Sequence, residues 1–357
     1  MQRPIPFLAF CLIFAQLLPA QSPTFSQFYA LKNAMNPAYV STVEGMEMTA
    51  GYRLQWGQLQ EGFHTAFASV AVRSCQAPFA FGAYASNVQE SFFGYRIQEG
   101  GMQVSAFVGQ SDRWSLHGGL QAGIGQHRVD YDRLVFSGQL DPVFGIQSPS
   151  SPYFLNDGSS LQTFEIGGGL VARGLLNWRN SELPASLGFA VQHLSGSRDD
   201  SFLRLDNSRA RRYTLHGSIT TPVTGGMLHK DVLYLNWVAR MEWESTLSRG
   251  TTGVIFQYTA AHIALLYQWN HNPFFPKNTH AMTLAIGTDF KLDKSKCSIE
   301  YAFDGTLSGL GQTATGGAHE IVLTFTLPHT CIFKGRNTRG SSECYYFNGK
   351  SYQRFLN

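Results

Sequence analysis

Few residues in this chain have types and spacings that could support chemistry. His262, His271 and His280 recur at intervals of nine residues, and histidine is a common metal ligand. His193 and Ser195 stand two residues apart, which would place a base and a nucleophile on one face of a strand. The three histidines do not fall on one level of the predicted strands, and the sequence assigns no carboxylate to the Ser–His pair. Both sets are therefore interpreted as ordinary polar positions.

Sequence motifs of common enzyme classes are absent. There is no P-loop, HExxH, CxxC or GxSxG, and Gly123, Gly125 and Arg128 do not complete a dinucleotide fingerprint. The net charge is only +3, and no basic run suggests a nucleic-acid partner. We predict a protein that is not an enzyme, needs no cofactor and does not bind nucleic acid.

Arg240 and Glu242 are the most informative charged residues, because of the segment 231–243 that contains them. Successive side chains of a strand point to opposite sides. The other face of this segment is apolar and carries Leu233, Leu235, Trp237, Ala239, Met241 and Trp243. An arginine facing lipid at the membrane midplane would cost about 2–4 kcal/mol. Arg240 and Glu242 are therefore predicted to be a lumenal charge pair that holds neighbouring strands of a barrel.

The same two-faced pattern recurs along most of the chain. Segments of this kind start near residues 46, 63, 78, 101, 114, 160, 185, 210, 231, 250, 261, 280, 296 and 319. Charged residues make up 14% of the chain, against about 25% in a typical soluble domain. The pattern predicts an all-β fold, a transmembrane antiparallel β-barrel of about 14 strands. Long and short intervals mostly alternate, and an even strand number would place both the N- and C-termini on the short-turn, periplasmic side.

The chain divides into four predicted regions. Residues 1–20 resemble a signal peptide that is cleaved near Ala20, and after it no apolar run is long enough for a membrane helix. Residues 21–45 are expected either to plug the lumen or to line the periplasmic mouth. The barrel is predicted over 46–327, and residues 328–357 are predicted to form a periplasmic tail.

Four cysteines lie outside the predicted signal peptide: Cys75, Cys297, Cys331 and Cys344. All four are expected near the periplasmic ends of strands, in an oxidising compartment. Cys331 and Cys344 could close a short disulfide loop in the tail. The sequence leaves the other pairings open, and also the alternative that the thiols are unpaired.

Several segments resemble the PorP/SprF proteins of the type IX secretion system. They are QSPTFSQFYALKNAMNPAYVS (21–41), YRLQW (52–56), DPVFG (141–145), LPASLGFAVQHLS (183–195) and SGLGQTATGGAHEIVLTF (308–325). The motif residues that carry this resemblance are Phe25, Ser26, Gln27, Asn36, Pro37, Ala38, Tyr52, Arg53, Gln55, Trp56, Gly316, Gly317, His319 and Glu320.

The resemblance implies an outer-membrane barrel of Bacteroidota-type bacteria. Its implied partners are a secreted, adhesin-like cargo protein with a C-terminal sorting domain, other type IX secretion components and outer-membrane lipid. No catalytic residues are implied.

Two other classes of protein remain as alternatives. A channel for small or hydrophobic solutes would need an apolar pocket that faces the lumen. A soluble secreted β-sandwich, such as a lectin, would bury the apolar faces between two sheets.

Overall fold

The computed structural model describes most of the predicted barrel and the segment before it. The described residues are 24–58, 62–75, 77–90, 94–110, 113–130, 140–141, 143–146, 160–178, 181–195, 198–199, 207–208, 210–223, 233–271, 279–307, 315–328 and 330–332. The predicted signal peptide and most of the predicted tail, including Cys344, lie outside these ranges.

Fourteen long strands form one closed antiparallel barrel, which confirms the predicted fold. They are β1 (Met46–Gln55), β2 (Phe63–Arg73), β3 (Phe79–Glu90), β4 (Tyr95–Gln110), β5 (Trp114–Val129), β8 (Ser160–Trp178), β9 (Ser181–Gln192), β12 (Arg212–Val223), β13 (Leu233–Glu244), β14 (Leu247–Tyr258), β15 (Ala261–His271), β16 (Thr279–Leu292), β17 (Ser295–Thr306) and β18 (Ala318–Leu327). Two short hairpins lie outside the barrel sheet: β6 (Leu140–Asp141) with β7 (Gly145–Ile146), and β10 (Arg198–Asp199) with β11 (Asn207–Ser208).

Pairing of β1 with β18 closes the barrel, with Met46 opposite Leu327. We call the end that holds these two residues the short-turn rim and the opposite end the long-loop rim. At the short-turn rim only two residues separate β14 from β15, whereas β5 and β8 are separated at the long-loop rim by residues 130–159. Strands β13 and β14 are an exception, because only two residues join them at the long-loop rim.

The two faces of each strand differ as predicted. On β13, Trp237 is 53% exposed, whereas Arg240 and Glu242 are 5% and 7% exposed and point into the barrel. An exposed apolar outer face around a closed sheet is what hydrocarbon requires. The soluble β-sandwich alternative is wrong, because the sheet closes on itself and does not pack against a second sheet.

Two strands are longer than the sequence pattern indicated. β4 begins at Tyr95 and not near 101, although glycines at 100 and 101 suggested a turn. Gly101 lies opposite Gly123, and a Cβ on Gly101 would be 2.5 Å from the carbonyl oxygen of Ala122. Glycine is therefore needed here for the close approach of β4 and β5. The segment after β8 was predicted to start near 185, which left residues 174–184 between two strands. Most of these residues are strand, since β8 continues to Trp178 and β9 starts at Ser181.

The disulfide expected between Cys331 and Cys344 is wrong. Cys331 is bonded to Cys75, and their Cα atoms are 5.4 Å apart. Spacing along the chain favoured the short loop in the tail, but the barrel brings the end of β2 beside the residues that follow β18. The backbone of Cys75 donates a hydrogen bond to the carbonyl of Ile332 there (2.9 Å). Cys297 is a free thiol.

The segment before β1 turns back into the lumen, and we call residues 24–45 the plug. It contains one helical turn, α1 (Lys32–Met35), and a 3₁₀ helix (Pro37–Thr42). Its first described residue, Thr24, accepts a hydrogen bond from Arg249, the third residue of β14 counted from the long-loop rim. The first barrel strand thus begins, and the last one ends, at the short-turn rim. The plug extends from this rim almost to the long-loop rim. Within the described ranges, no helix is both long enough and apolar enough to cross a membrane.

Candidate functional site

Glu320 lies at the centre of the contact between the plug and the barrel wall. Its side chain is 1% exposed, points inward from β18, and accepts backbone N–H hydrogen bonds from Ser26 (2.9 Å) and Gln27 (2.8 Å). Arg53 on the adjacent β1 donates to the same carboxylate from Nη1 (2.9 Å). The buried carboxylate is therefore paired with a cation and fully hydrogen-bonded, which is the condition under which burial of charge is tolerated.

Asp304 on β17 completes this arrangement. Arg53 Nη1 lies 2.6 Å from Asp304 Oδ2, and the Ser26 hydroxyl donates to the same oxygen. The hydroxyl of Thr283 on β16 donates to Asp304 Oδ1 (2.6 Å). We call Ser26, Gln27, Arg53, Asp304 and Glu320 the anchor. Four of its five members are motif residues of the resemblance, which far separated segments bring together.

Tyr29 contacts the barrel wall on the side of the anchor that is nearer the short-turn rim. Its hydroxyl donates to Glu300 on β17, which also lies 2.8 Å from His262 Nε2 on β15. Burial, reinforced by the charge of Glu300, raises the pKa of the Tyr29 hydroxyl well above 10. The hydroxyl therefore stays protonated and remains a donor.

Asn36 fixes the second half of the plug. Its Oδ1 accepts from the backbone N–H of Ala38 (3.0 Å), as expected of the residue that caps a helix. Its Nδ2 donates to the carbonyls of Leu170 (3.1 Å) and Phe189 (3.3 Å) in the wall. A Cβ on Gly169 would lie 2.1 Å from Asn36 Oδ1, so the wall needs glycine at this point. The motif residues Asn36, Pro37 and Ala38 are all buried.

The predicted charge pair lies against the plug on another part of the wall. Arg240 Nε is 3.8 Å from Glu242 Oε2, and Arg249 Nη1 on the neighbouring β14 is 3.7 Å from the same oxygen. The guanidinium of Arg240 lies 4.7 Å from the centre of the Phe28 ring in the plug. We call Arg240, Glu242 and Arg249 the charge column. Arg240 and Glu242 both lie on β13, so only the contact of Glu242 with Arg249 crosses between strands, and the predicted role of the pair in holding strands together stays a prediction.

The remaining inward motif residues lie at the plug interface or at the long-loop rim. Phe25 packs edge-on against Phe67 inside the barrel. At the long-loop rim, Gln55 accepts from Arg53 Nε (3.5 Å), and the N–H of Trp56 donates to the carbonyl of Gly317 (2.8 Å). Gly316 and Gly317 have φ angles of 72° and 70°, which glycine adopts without strain.

Tyr52 and His319 face outward and belong to a repeated arrangement that the sequence analysis missed. A tyrosine hydroxyl contacts a histidine Nδ1 at 2.7 Å in Tyr52–His64, Tyr267–His280 and Tyr301–His319. In each case the histidine lies opposite the residue two positions after the tyrosine. The sequence signal has two parts. A tyrosine stands two residues before an apolar residue near the end of one strand, and a histidine is the second residue of the next strand, after the connection at the long-loop rim. Tyrosine and histidine at this depth suit the membrane interface.

The sets considered for catalysis and metal binding do not form sites. His193 contacts Glu165 through Nδ1 and Arg212 through Nε2 (3.1 Å), whereas the Ser195 hydroxyl donates to the carbonyl of Phe164. The serine is therefore not positioned by the histidine. Of the three spaced histidines, His262 faces the lumen, and no cluster of possible metal ligands occurs within the described ranges.

Glu300 and Asp304 alternate with the apolar residues Ile299, Tyr301 and Phe303, which indicates an inward face but no partner. Their partners lie in the plug, more than 270 positions away in the chain.

Comparisons with known proteins identify one family and several solved structures that this chain resembles. The sequence model of a family described as "Type IX secretion system membrane protein PorP/SprF" matches residues 18–325. A search of curated proteins finds no match. Among solved structures, a FadL homologue of Pseudomonas aeruginosa is 14% identical, with 82% of this chain and 93% of that chain covered and a TM-score of 0.45. The toluene transporter TbuX of Ralstonia pickettii is 10% identical, with 83% and 92% covered and a TM-score of 0.41.

Proposed function

Because this chain belongs to the PorP/SprF family of type IX secretion system membrane proteins, we propose that it is a non-enzymatic outer-membrane barrel that assists the secretion or surface attachment of a cargo protein. The cargo is an adhesin-like protein recognised through its C-terminal sorting domain, and other secretion components are further partners. The family membership carries this proposal. The filled lumen supports it over a solute channel, because the plug crosses the space that a solute would need.

The proposed orientation places the short-turn rim in the periplasm. Outer-membrane barrels have short turns on that side and longer loops outside. The Cys75–Cys331 disulfide at this rim fits an oxidising compartment. In this orientation the signal peptide is removed near Ala20, and the tail from 328 onward leaves the barrel on the side where secretion components reach it.

The long-loop side offers an exposed apolar contact for cargo. Val143 and Phe144, at the tip between β6 and β7, are 79% and 76% exposed. Asp141 holds this turn by accepting the N–H groups of Val143 (2.8 Å) and Phe144 (2.9 Å), and these bonds keep the pKa of its carboxyl below the usual range. Exposed apolar side chains on a defined turn are suited to protein contact. We assign this tip to cargo recognition.

The test is deletion of the protein followed by cell fractionation and measurement of sorting-domain proteins at the cell surface. At least one such protein is expected to disappear from the surface and to return when the wild-type chain is restored. Restoration with a Val143→Ser, Phe144→Ser variant should recover much less of it than restoration with the control Leu194→Ser, which removes another exposed apolar side chain at the long-loop side. Unchanged display of every sorting-domain protein after deletion would refute the role. Solute flux in liposomes that equals that of an open porin would favour the channel alternative instead.

A further inference from the structure

A groove of about 830 Å³ lies against strands β2, β3, β4, β5 and β8. Each strand contributes three consecutive residues to it: 66–68, 85–87, 98–100, 124–126 and 162–164. In every triplet the first and third residues point away from the lumen, and the middle residue points inward. The burial of the middle residues Phe67, Gly125 and Thr163 shows this direction. Both outward neighbours of every middle residue line the groove, whereas inward residues of the adjacent levels, such as Gln121 and Glu165, do not. The groove is therefore on the outer wall, in the half of the barrel nearer the long-loop rim.

The outward side chains form rows of directly opposed residues across neighbouring strands, and we call these rows levels. The polarity of the levels increases toward the long-loop rim. The level nearest the membrane centre is apolar and mostly small, and consists of Ala68, Ala85, Gly100, Ile124 and Phe164, each directly opposite the next. The next level toward the long-loop rim contains Ala66 and four directly opposed amides: Asn87, Gln98, Gln126 and Gln162. Adjacent levels are two residues apart, or about 7 Å along a strand.

Two arginines lie at the third level, between Gln89 and Ser160 and just beyond the residues that line the groove. Arg96 and Arg128 are exposed on the outer face and lie directly opposite each other on β4 and β5. Like charges placed this way destabilise a strand pair. Arg96 donates to the amide of Gln89 (3.3 Å), and neither arginine forms an ion pair with an acidic residue of the described ranges. An anion between the two guanidinium groups would remove the repulsion, and arginine pairs suit phosphate.

We propose that this groove binds the phosphorylated glycolipid of the outer leaflet, the lipid A portion of lipopolysaccharide. Its acyl chains lie on the apolar floor, its sugar hydroxyls meet the amide level, and a phosphate bridges Arg96 and Arg128. The order of chemistry along the groove matches the order along such a lipid, over about 14 Å from floor to arginines. The inference rests on the proposed outward orientation of the long-loop rim, but not on the role in secretion.

The test uses the full chain purified from outer membranes in nonionic detergent and titrated with lipid A, with bound lipid counted by native mass spectrometry. Arg96→Gln with Arg128→Gln should weaken lipid A binding at least tenfold. Ala85→Leu, which fills the floor and keeps both arginines, should weaken it severalfold. Arg211→Gln is the matched control, because Arg211 is another exposed arginine, next to the start of β12 at the long-loop rim, and it should leave binding unchanged. Heat-dependent gel mobility establishes that each variant is folded.

Two lipid probes separate the possible occupants. Lipid A without its phosphates should bind wild type as weakly as intact lipid A binds the double arginine variant, and phosphatidylglycerol should bind at least tenfold more weakly than lipid A. Equal binding of intact lipid A by wild type and the double variant overturns the proposal, as does phosphatidylglycerol binding as tight as that of lipid A. A protein captured on this face and lost in the double variant, with lipid A binding unaffected, would reassign the groove to a protein partner.

Discussion

The anchor and the charge column hold the same plug in different ways. In the anchor, Glu320 and Asp304 accept hydrogen bonds from Arg53 and from plug groups, and the distances to Arg53 Nη1 are 2.9 Å and 2.6 Å. In the charge column, the two arginine–Glu242 distances are 3.7 Å and 3.8 Å, beyond hydrogen-bond length. Buried atoms without a hydrogen-bond partner occur at both places: Asn236 Oδ1, Arg240 Nε, Glu242 Oε2 and Thr251 Oγ1 at the charge column, and Nε2 and Oε1 of Gln27 in the anchor.

The difference predicts which side of the plug moves first. A buried charge stabilises a contact only when pairing and hydrogen bonds offset its desolvation, and the anchor meets both conditions. The charge column provides attraction at longer range and one contact between a cation and a ring. We therefore expect the plug to remain fixed to β1, β17 and β18 while it separates from β13 and β14.

The largest expected effect follows from Glu320→Gln. A glutamine can accept from only one of the two plug N–H groups, and its NH₂ group would face the other N–H and, where that is the Ser26 N–H, Arg53 as well. Breaking a buried pair in this way costs about 3–5 kcal/mol. Hydrogen exchange at the amides of Ser26 and Gln27, followed by mass spectrometry, should accelerate at least about 100-fold.

The matched comparison is Glu242→Gln, which makes the same chemical change in the charge column. We expect it to cost about 1–2 kcal/mol, because Arg249 keeps its bond to Asn270 (2.9 Å) and Arg240 keeps the Phe28 ring. Exchange at Ser26 and Gln27 should rise about tenfold. A larger acceleration from Glu242→Gln than from Glu320→Gln would mean that the charge column, and not the anchor, holds the plug more firmly.

The sequence predicted the barrel better than it predicted what fills it. Two-residue alternation predicted 14 strands and the inward direction of Arg240 and Glu242, because lipid and lumen impose opposite demands on neighbouring residues. It failed at Gly100–Gly101, where the glycines permit close packing of strands rather than a turn. The disulfide partner of Cys331 was missed because closure of the barrel, and not nearness in sequence, brings Cys75 beside it.

The plug followed less directly from the sequence. Residues 21–45 show no strand alternation, so either a plug or a lining of the mouth was open. The resemblance singled out Ser26, Gln27, Arg53 and Glu320 without indicating that they touch. Contacts across almost 300 residues depend on the closure of the whole barrel, and a local pattern does not encode them.

Ser26→Ala tests the anchor at the level of one hydroxyl. The hydroxyl donates to Asp304 and accepts from Arg53 Nη1 (2.7 Å) and Gln268 Nε2 (3.0 Å). Its loss should cost about 1–1.5 kcal/mol, because both charged partners keep other bonds: Asp304 keeps Arg53 and Thr283, and Arg53 keeps Asp304 and Glu320. Exchange at Gln27 is expected to rise about tenfold. No change at Gln27 would show that the backbone bonds to Glu320 hold the plug without the hydroxyl.

Thr24→Val makes the corresponding change at the charge column and should have the smallest effect. Thr24 accepts a hydrogen bond from Arg249 Nη1, and Nε of the same arginine donates to Asn270. Only one hydroxyl is lost, and valine keeps the shape of the side chain, so we expect about 0.5 kcal/mol or less. Exchange at Ser26 and Gln27 should change less than threefold. An effect as large as that of Ser26→Ala would mean that Arg249 is a second anchor, and that the plug is held equally at both walls.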